Sequence, residues 1–348
     1  MKGLADHMGK RVLVTGGCGY IGSILVPMLL ARGHTVRVLD KLYFGEEPLS
    51  AVKDRIELVP GDVRAMDGAV LDDMEAVIHL GSLSNDPTSE FHPEATDSIN
   101  HRGTTALAEA CKARGIGTFT FASSCAVYGF HVEGVVDEDF PAEPQSSYAR
   151  SKLAAERDLQ TMADDTFCPV ILRQATVCGL SPRMRWDIVL NAFVMHAFKS
   201  GRLDVWYGGE AWRPIVDVKD VAAAHIRCVE AEPRVVRGQV FNVVHDNFRI
   251  LDLARRVAET LGGLGIDVGI DVNRDEVDHR SYRTSGERIS RVLDFRALVS
   301  PEEAVREIAS ALQDGRYRDF DHPAYYNMPW LKLLLDVESR LNTTGPVL

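Results

Sequence analysis

Lys10-Arg11-Val12-Leu13-Val14-Thr15-Gly16-Gly17-Cys18-Gly19-Tyr20-Ile21-Gly22 decides how the rest of this chain is read. Residues 11–15 are a short run rich in β-branched side chains, too short for a helical period, and glycines follow at once. The stretch predicts a buried strand ending in a tight turn. The apolar segment from Tyr20 to Ala31 then predicts a helix. Glycines let a backbone come close to a diphosphate, while the unpaired N–H groups and positive end of a helix face its charge. Gly16, Gly19 and Gly22 are therefore read as a dinucleotide cradle. The next strand, His34 to Leu39, ends at Asp40, close to the offset of about 20 residues at which a carboxylate grips an adenosine ribose. An acid there repels the extra phosphate of NADP, so the expected cofactor is NAD.

Working outward, 348 residues with 45% apolar and 26% charged side chains describe an ordinary chain with one large or two modest domains. A formal charge of −11 argues against a nucleic-acid surface, which needs clustered Lys and Arg. The six cysteines form no C-x-x-C pair and sit in apolar patterns, so they are expected to be reduced thiols. No signal-peptide core precedes Arg11 and no run approaches a membrane span. A soluble, cytoplasmic protein is expected.

Strand patterns recur at 56–59, 76–80, 118–122 and 170–172, with helical segments at about 95–114 and 148–165. Parallel strands joined by right-handed crossovers follow. The predicted fold class is α/β, a Rossmann-type doubly wound parallel sheet with a smaller mixed α/β C-terminal lobe. Residues 1–177 are assigned to the dinucleotide-binding domain and 178–348 mainly to a substrate lobe, with chain returns to the sheet at about 213–245. In the second part, 186–198 is read as helical, 201–207 as extended, 213–216 as a strand before a helix from Val218, 239–243 as a strand and 251–261 as a helix. Trp330, Leu334, Val337 and Leu341 recur at helical spacing, a stripe that packs on its own domain or makes a subunit contact.

Tyr148 and Lys152, four apart at the start of a helix, share one helix face. An ammonium beside a phenol favours the phenolate and is expected to lower a pKa of about 10, so that Tyr148 takes a proton from a substrate hydroxyl. The pair follows Ser123-Ser124-Cys125-Ala126-Val127-Tyr128-Gly129, a strand end that delivers hydroxyls to the sheet edge where the cofactor lies.

The glycine loop, the Ser-Ser-x-x-x-Tyr-Gly run, Tyr-x-x-x-Lys and Trp212-Arg213-Pro214-Ile215-Val216-Asp217-Val218-Lys219-Asp220 come in the order found in extended short-chain dehydrogenases/reductases acting on nucleotide sugars. The chain resembles that family, the NAD-dependent nucleotide-sugar epimerases and dehydratases, over nearly its whole length. The resemblance implies that Tyr148 is the acid/base, that Lys152 holds the nicotinamide ribose and tunes Tyr148, and that Ser124, with Ser123 as the alternative, bonds the reacting oxygen. It adds Tyr20, Ile21, Lys41 and Val177 to the cofactor set, with Asp62 and Val63 flanking the adenine. Leu80, Gly81 and Ser82 would line the diphosphate and ribose, and Asn100 would steady the active-site helix.

Family dehydratases carry an Asp-Glu pair just after the catalytic hydroxyl, where this chain has Cys125 and Ala126; dehydration is disfavoured. Asp137-Glu138-Asp139 is read as a solvated loop. For substrate, the resemblance puts Arg213 on the sugar-nucleotide diphosphate, a role suited to a two-pronged guanidinium. Ser181-Pro182-Arg183-Met184-Arg185-Trp186-Asp187 resembles a subgroup including bacterial GDP-heptose 4-oxidising enzymes, and Arg185 is expected to face substrate. Thr176, Asn191, Ser84 and Asn85 join it, and Asp278-His279-Arg280-Ser281-Tyr282 offers Arg280 as a second diphosphate or base contact. Scattered histidines (His79, His101, His196, His225, His245) lack metal-ligand spacing, and no metal is expected.

The reading is an NAD-dependent nucleotide-sugar 4-epimerase passing through a transient 4-keto sugar. The alternatives are a 4-dehydrogenase that releases the ketone and a non-catalytic dinucleotide-binding sensor. The partner is a nucleotide-diphosphate sugar, and a homodimer is what the resemblance implies.

Overall fold

The computed structural model describes residues 9–129, 134–274 and 280–344. Strand β1 (Arg11–Thr15) leads through the glycine turn into α1 (Gly22–Ala31), then β2 (Thr35–Asp40), β3 (Ile56–Pro60) and β4 (Ala76–His79). The segment expected as one helix is broken into α2 (Asp86–Phe91), α3 (Pro93–Asp97), a π turn at Ser98–Arg102 and α4 (Gly103–Ala113). Pro87 and Pro93 each open a new helix because a ring in the first turn sacrifices no hydrogen bond. Strand β5 (Thr118–Ser124), α5 (Ser147–Met162) and β6 (Cys168–Gln174) complete the alternation.

Beyond β6 come β7 (Thr176–Cys178), α6 (Val189–Ser200), β8 (Arg202–Val205), β9 (Trp212–Asp217), α7 (Val218–Glu230), α8 (Pro233–Val236), β10 (Val240–Val243), β11 (Asp246–Arg249) and α9 (Ile250–Gly262). Strand β12 (Gly269–Val272), α10 (Glu287–Leu293), α11 (Pro301–Gln313) and α12 (Asn327–Thr344) follow. Helix α6 starts three residues after the expected Trp186, which lies in the preceding loop.

Seven parallel strands form the main sheet in the order β10-β6-β5-β4-β1-β2-β3. The order reverses between β1 and β4, and ligands bind beyond the carboxyl ends of strands at such a switch. Strands β5 and β6 are buried almost end to end, as strands covered on both faces must be. One face carries α1 and α7; α4 and α5 cover the other. Strand β10 is the seventh strand, so the chain returns to this sheet after leaving it for more than sixty residues. A three-stranded sheet (β11-β9-β7), a parallel pair (β12-β8) and helices α6, α9 and α11 enclose a second core around Trp186, Phe193, Leu253 and Ile308. Among the described residues no helix is long and apolar enough to cross a membrane.

All six cysteines are free and buried. The acidic run departs from its sequence reading: Asp137 and Asp139 are exposed, but Glu138 is buried, accepts from the Asn242 backbone N–H at 2.7 Å and faces Arg288. A carboxylate that satisfies a buried N–H beside a guanidinium is a structural brace, which the charge pattern alone conceals.

Candidate active site

A cavity of about 800 Å³ opens over the carboxyl ends of β1, β2, β4, β5 and β6. Its floor is the glycine turn. Gly16 sits at φ +73°, and a Cβ built there would lie 2.8 Å from the Gly81 backbone nitrogen. On Gly22 a Cβ would meet the backbone of Gly16 and Gly17 at 2.5 Å. Only glycine allows this close stacking of turn, helix start and the loop after β4. That cradle, at the start of α1, fits a dinucleotide diphosphate. Both Asp40 oxygens accept backbone N–H groups, from Cys18 at 2.9 Å and Leu42 at 2.7 Å. The carboxylate is thereby aimed, with lone pairs left for ribose hydroxyls. Burial raises its pKa despite both bonds. Asp62 is forked by Arg64 at 2.6–2.9 Å with Lys41 3.5 Å away, and its pKa falls to about 2, chiefly through the Arg64 bond.

Of the sequence-predicted cofactor residues, Gly16, Gly19, Tyr20, Ile21, Gly22, Asp40, Lys41, Asp62, Val63, Leu80, Gly81, Ser82, Tyr148, Lys152 and Val177 line this cavity. Asn100 does not. Fully buried in the π turn, it accepts from the Leu83 N–H at 2.8 Å and donates to the Leu83 carbonyl at 2.9 Å and Ser151 Oγ at 3.2 Å. Its amide is spent on joining the β4 loop to α5, so it braces the site without reaching a cofactor.

Ser124, Tyr148 and Lys152 come together at the end of β5. Ser146 caps α5 by accepting from Ala149 N–H at 3.1 Å, and Ser89 Oγ accepts from the Tyr148 N–H at 3.1 Å, so the first turn that carries Tyr148 is held from both sides. The Ser124 side chain lies near Tyr148 and favours its ionised form, against the effect of burial. Ser123 also lines the cavity, but it is 2% exposed and its hydroxyl donates to buried Glu156. Lys152 Nζ donates to the Ala122 carbonyl at 2.8 Å, 4.7 Å from the Phe121 ring centroid and 5.8 Å from that of Tyr148. The expected lowering of the phenol pKa is not found: burial pushes Tyr148 up to about 12 and, by the same loss of water, Lys152 down to about 7. Desolvation here outweighs the attraction that i,i+4 spacing suggested.

Ser84, Asn85, Ser124, Thr176, Arg185, Arg213 and Arg280 also line the cavity. Asn85 holds φ at 107°, caps α2 through Thr88 N–H and donates to Asp187 at 3.1 Å; a non-glycine residue so placed is strained by about 1–3 kcal/mol, a feature that clusters at ligand sites. Arg185 grips both Asp187 oxygens at 2.9 and 3.0 Å. Arg213 donates to the Trp212 carbonyl at 3.0 Å and Arg280 lies 3.9 Å from Asp86. Asp278 and His279 lie outside the described residues. Asn191 is not at the cavity: it is fully buried, accepts from Gly179 N–H and donates to the Arg185 carbonyl and the Tyr20 hydroxyl. It locks backbone in place, and the expectation of a substrate contact is withdrawn.

Sequence reasoning missed four contributors. Tyr43, Phe44 and Tyr282 line the cavity, as does Arg183, whose partner Arg185 alone was singled out. Helix α12 was read as an internal or intersubunit stripe, yet Asn327, Trp330 and Leu334 face the cavity while Val337 and Leu341 are exposed. Among the described residues no group of three or more His, Cys, Asp or Glu is arranged to hold a metal ion.

Comparison with known proteins follows this geometry. Residues 12–243 match the family described as "NAD dependent epimerase/dehydratase family". UDP-glucose 4-epimerase of Bacillus subtilis (strain 168) is 34% identical over 282 residues, 72% of this chain and 82% of that one. UDP-N-acetylglucosamine 4-epimerase from Methanobrevibacter ruminantium M1, solved with UDP-N-acetylmuramic acid, superposes with a TM-score of 0.78 at 26% identity, covering 88% and 99%. DesIV, a dTDP-glucose 4,6-dehydratase from Streptomyces venezuelae solved with NAD and TYD, gives 0.76 at 25% identity, covering 89% and 99%. The chain belongs to the NAD-dependent epimerase/dehydratase family, an enzyme of the extended short-chain dehydrogenase/reductase type whose cofactor is NAD.

Proposed function

We propose that the chain is a nucleotide-sugar 4-epimerase, with Ser124, Tyr148 and Lys152 as its catalytic residues. The observation that carries this reading is the neighbourhood of Tyr148. Where family dehydratases hold an acid pair, Cys125 is fully buried, with Sγ donating to the Arg173 carbonyl, and Ala126 is the cavity-lining side chain. The second position offers no carboxylate and the first is turned inward, so a carbon proton and a leaving hydroxyl lack their acid and base.

NAD supplies the hydride acceptor and, in an epimerase, the donor that returns it. The chain's own residues handle the proton. Tyr148 takes it from the sugar hydroxyl and gives it back, while Ser124 holds the reacting oxygen against the phenol. Lys152, anchored on the Ala122 carbonyl, is positioned to hold the nicotinamide ribose. Arg213 and Arg280 are the proposed diphosphate contacts, and Ser84, Asn85, Thr176 and Arg185 the sugar-side wall. In this reading residues 1–177 with α7 and β10 hold the dinucleotide, and most of the remainder holds the sugar nucleotide.

The test offers the protein and NAD a panel of UDP-, GDP- and dTDP-sugars while absorbance of the reduced nicotinamide is followed and products are identified. A new sugar isomer without lasting NADH is expected. Accumulating NADH with a keto-sugar would overturn the reading in favour of a 4-dehydrogenase, the second candidate, which the resemblance of the run from Ser181 to Asp187 to GDP-heptose 4-oxidising enzymes supports.

A further inference from the structure

Arg183 is a buried cation that forms no ion pair among the described residues. It is 5% exposed, lines the cavity, and its Nε has no partner among the described residues. Its NH2 donates to Asn327 Oδ1 of α12 at 2.6 Å, and its guanidinium lies 3.6 Å from the Phe44 ring centroid. Asp187, which attracts it from a distance, is gripped by Arg185. Burial together with Arg185 pushes its pKa down to about 9, the mark of a charge left uncompensated. An unpaired guanidinium is costly to bury, and a face-stacked, amide-held fork is a preorganised anion receptor.

The location identifies the anion. Ser181, two residues earlier, donates to the Tyr20 carbonyl at 2.7 Å and bonds Ser23 Oγ at 2.9 Å, so this loop is fixed on the first turn of α1. Phe44, on Arg183's other side, follows the end of β2. Arg183 thus belongs to the loop tied to the first turn of α1, beside the glycine cradle, whereas Arg213 and Arg280 belong to other loops of the cavity. Helix α12 is pinned across the opening. Asn327 Nδ2 donates to both the Ser84 carbonyl and Oγ at 3.0 Å, and Trp330 Nε1 donates to the Tyr43 carbonyl at 2.5 Å.

We propose that Arg183, held by Asn327 and stacked on Phe44, closes on the diphosphate of the dinucleotide from the second lobe, and that α12 must release Tyr43 before the cofactor leaves. The assignment rests on the family's use of NAD and not on which sugar reaction follows.

Binding is measured by calorimetry on the full chain with two probes, NAD and UDP, the second standing for the diphosphate of a sugar nucleotide. Arg183→Met keeps the stacking stem and removes the charge. NAD affinity is expected to fall tenfold or more while UDP affinity stays within twofold. Unchanged NAD affinity, or a loss for UDP alone, overturns the assignment. A loss for both supports it only if Arg183→Lys restores NAD selectively, and otherwise counts against it. Trp330→Phe removes the bond to Tyr43; its stopped-flow NAD release is expected to be several-fold faster, and an unchanged rate removes α12 from the proposal. If the unaltered protein does not bind NAD at all, the cofactor reading fails and not this assignment alone.

Discussion

The Tyr20 hydroxyl donates to the carbonyl of Gly179, 159 positions away, at 2.7 Å, and receives Asn191 Nδ2 at 3.1 Å. A residue of the cofactor turn is thus the rivet between the two lobes. Tyr20→Phe leaves a buried carbonyl and amide unmatched, at about 1–3 kcal/mol. The urea midpoint is expected to fall and NAD affinity to weaken with it. Stability unchanged within error would show that the rivet carries no load.

Tyr148→Phe removes the only proton-transferring atom assigned here and keeps the ring. Sugar conversion is expected to fall by roughly 10²–10⁴-fold with NAD affinity nearly unchanged, measured by product formation and calorimetry in parallel. Turnover at the original rate would discard the mechanism.

Gly22→Ala places a methyl 2.5 Å from backbone atoms of Gly16 and Gly17, which cannot rotate away as a side chain would. Destabilisation of about 1–3 kcal/mol and loss of NAD binding are expected together. An alanine variant with intact NAD affinity would mean the cradle is looser than its geometry.

Asp217 gives a pH signature. Burial pushes its carboxyl up to about 7, and among the described residues its Oδ2 has no partner, while Oδ1 caps α7 by accepting from Lys219 N–H at 2.8 Å. The folded state holds this proton more tightly than an unfolded Asp near 3.8. Its contribution is complete below about pH 4 and is lost as pH rises to 7 and beyond, on the order of a few kcal/mol. Asp217→Asn keeps a capping oxygen and cannot ionise, so its stability relative to the parent should improve from pH 4 to pH 8 in urea titrations. A constant difference across that range would contradict the assignment.

The residues legible in the sequence are those whose chemistry is local. Gly16, Gly19 and Gly22 fall within one turn, Asp40 ends the next strand, and Tyr148 and Lys152 are one helical turn apart, so spacing alone carries the inference. Arg183, Asn191, Glu138 and α12 were hidden because their meaning depends on partners far along the chain. Arg183 and Arg185 look alike as letters, yet Arg185 grips a carboxylate while Arg183 holds only an amide oxygen and, among the described residues, leaves its Nε without a partner. Asn191 is expected at the substrate, yet burial turns its amide toward backbone, whereas Asn100, fully buried, braces the β4 loop against α5. The Tyr148–Lys152 interaction was overstated for the complementary reason, that spacing gives proximity and says nothing of lost water.

The position of β10 has a consequence for how the molecule is made. During synthesis β6 emerges with one flank open, and its partner arrives only after β7, β8, β9 and the three helices α6, α7 and α8. Until residue 243 is available, that strand presents unpaired N–H and C=O groups to any other extended chain. Completion of the dinucleotide-binding sheet must therefore wait for part of the second lobe, which favours concerted folding over sequential domain-by-domain assembly and makes this interval the point at which a chaperone matters most.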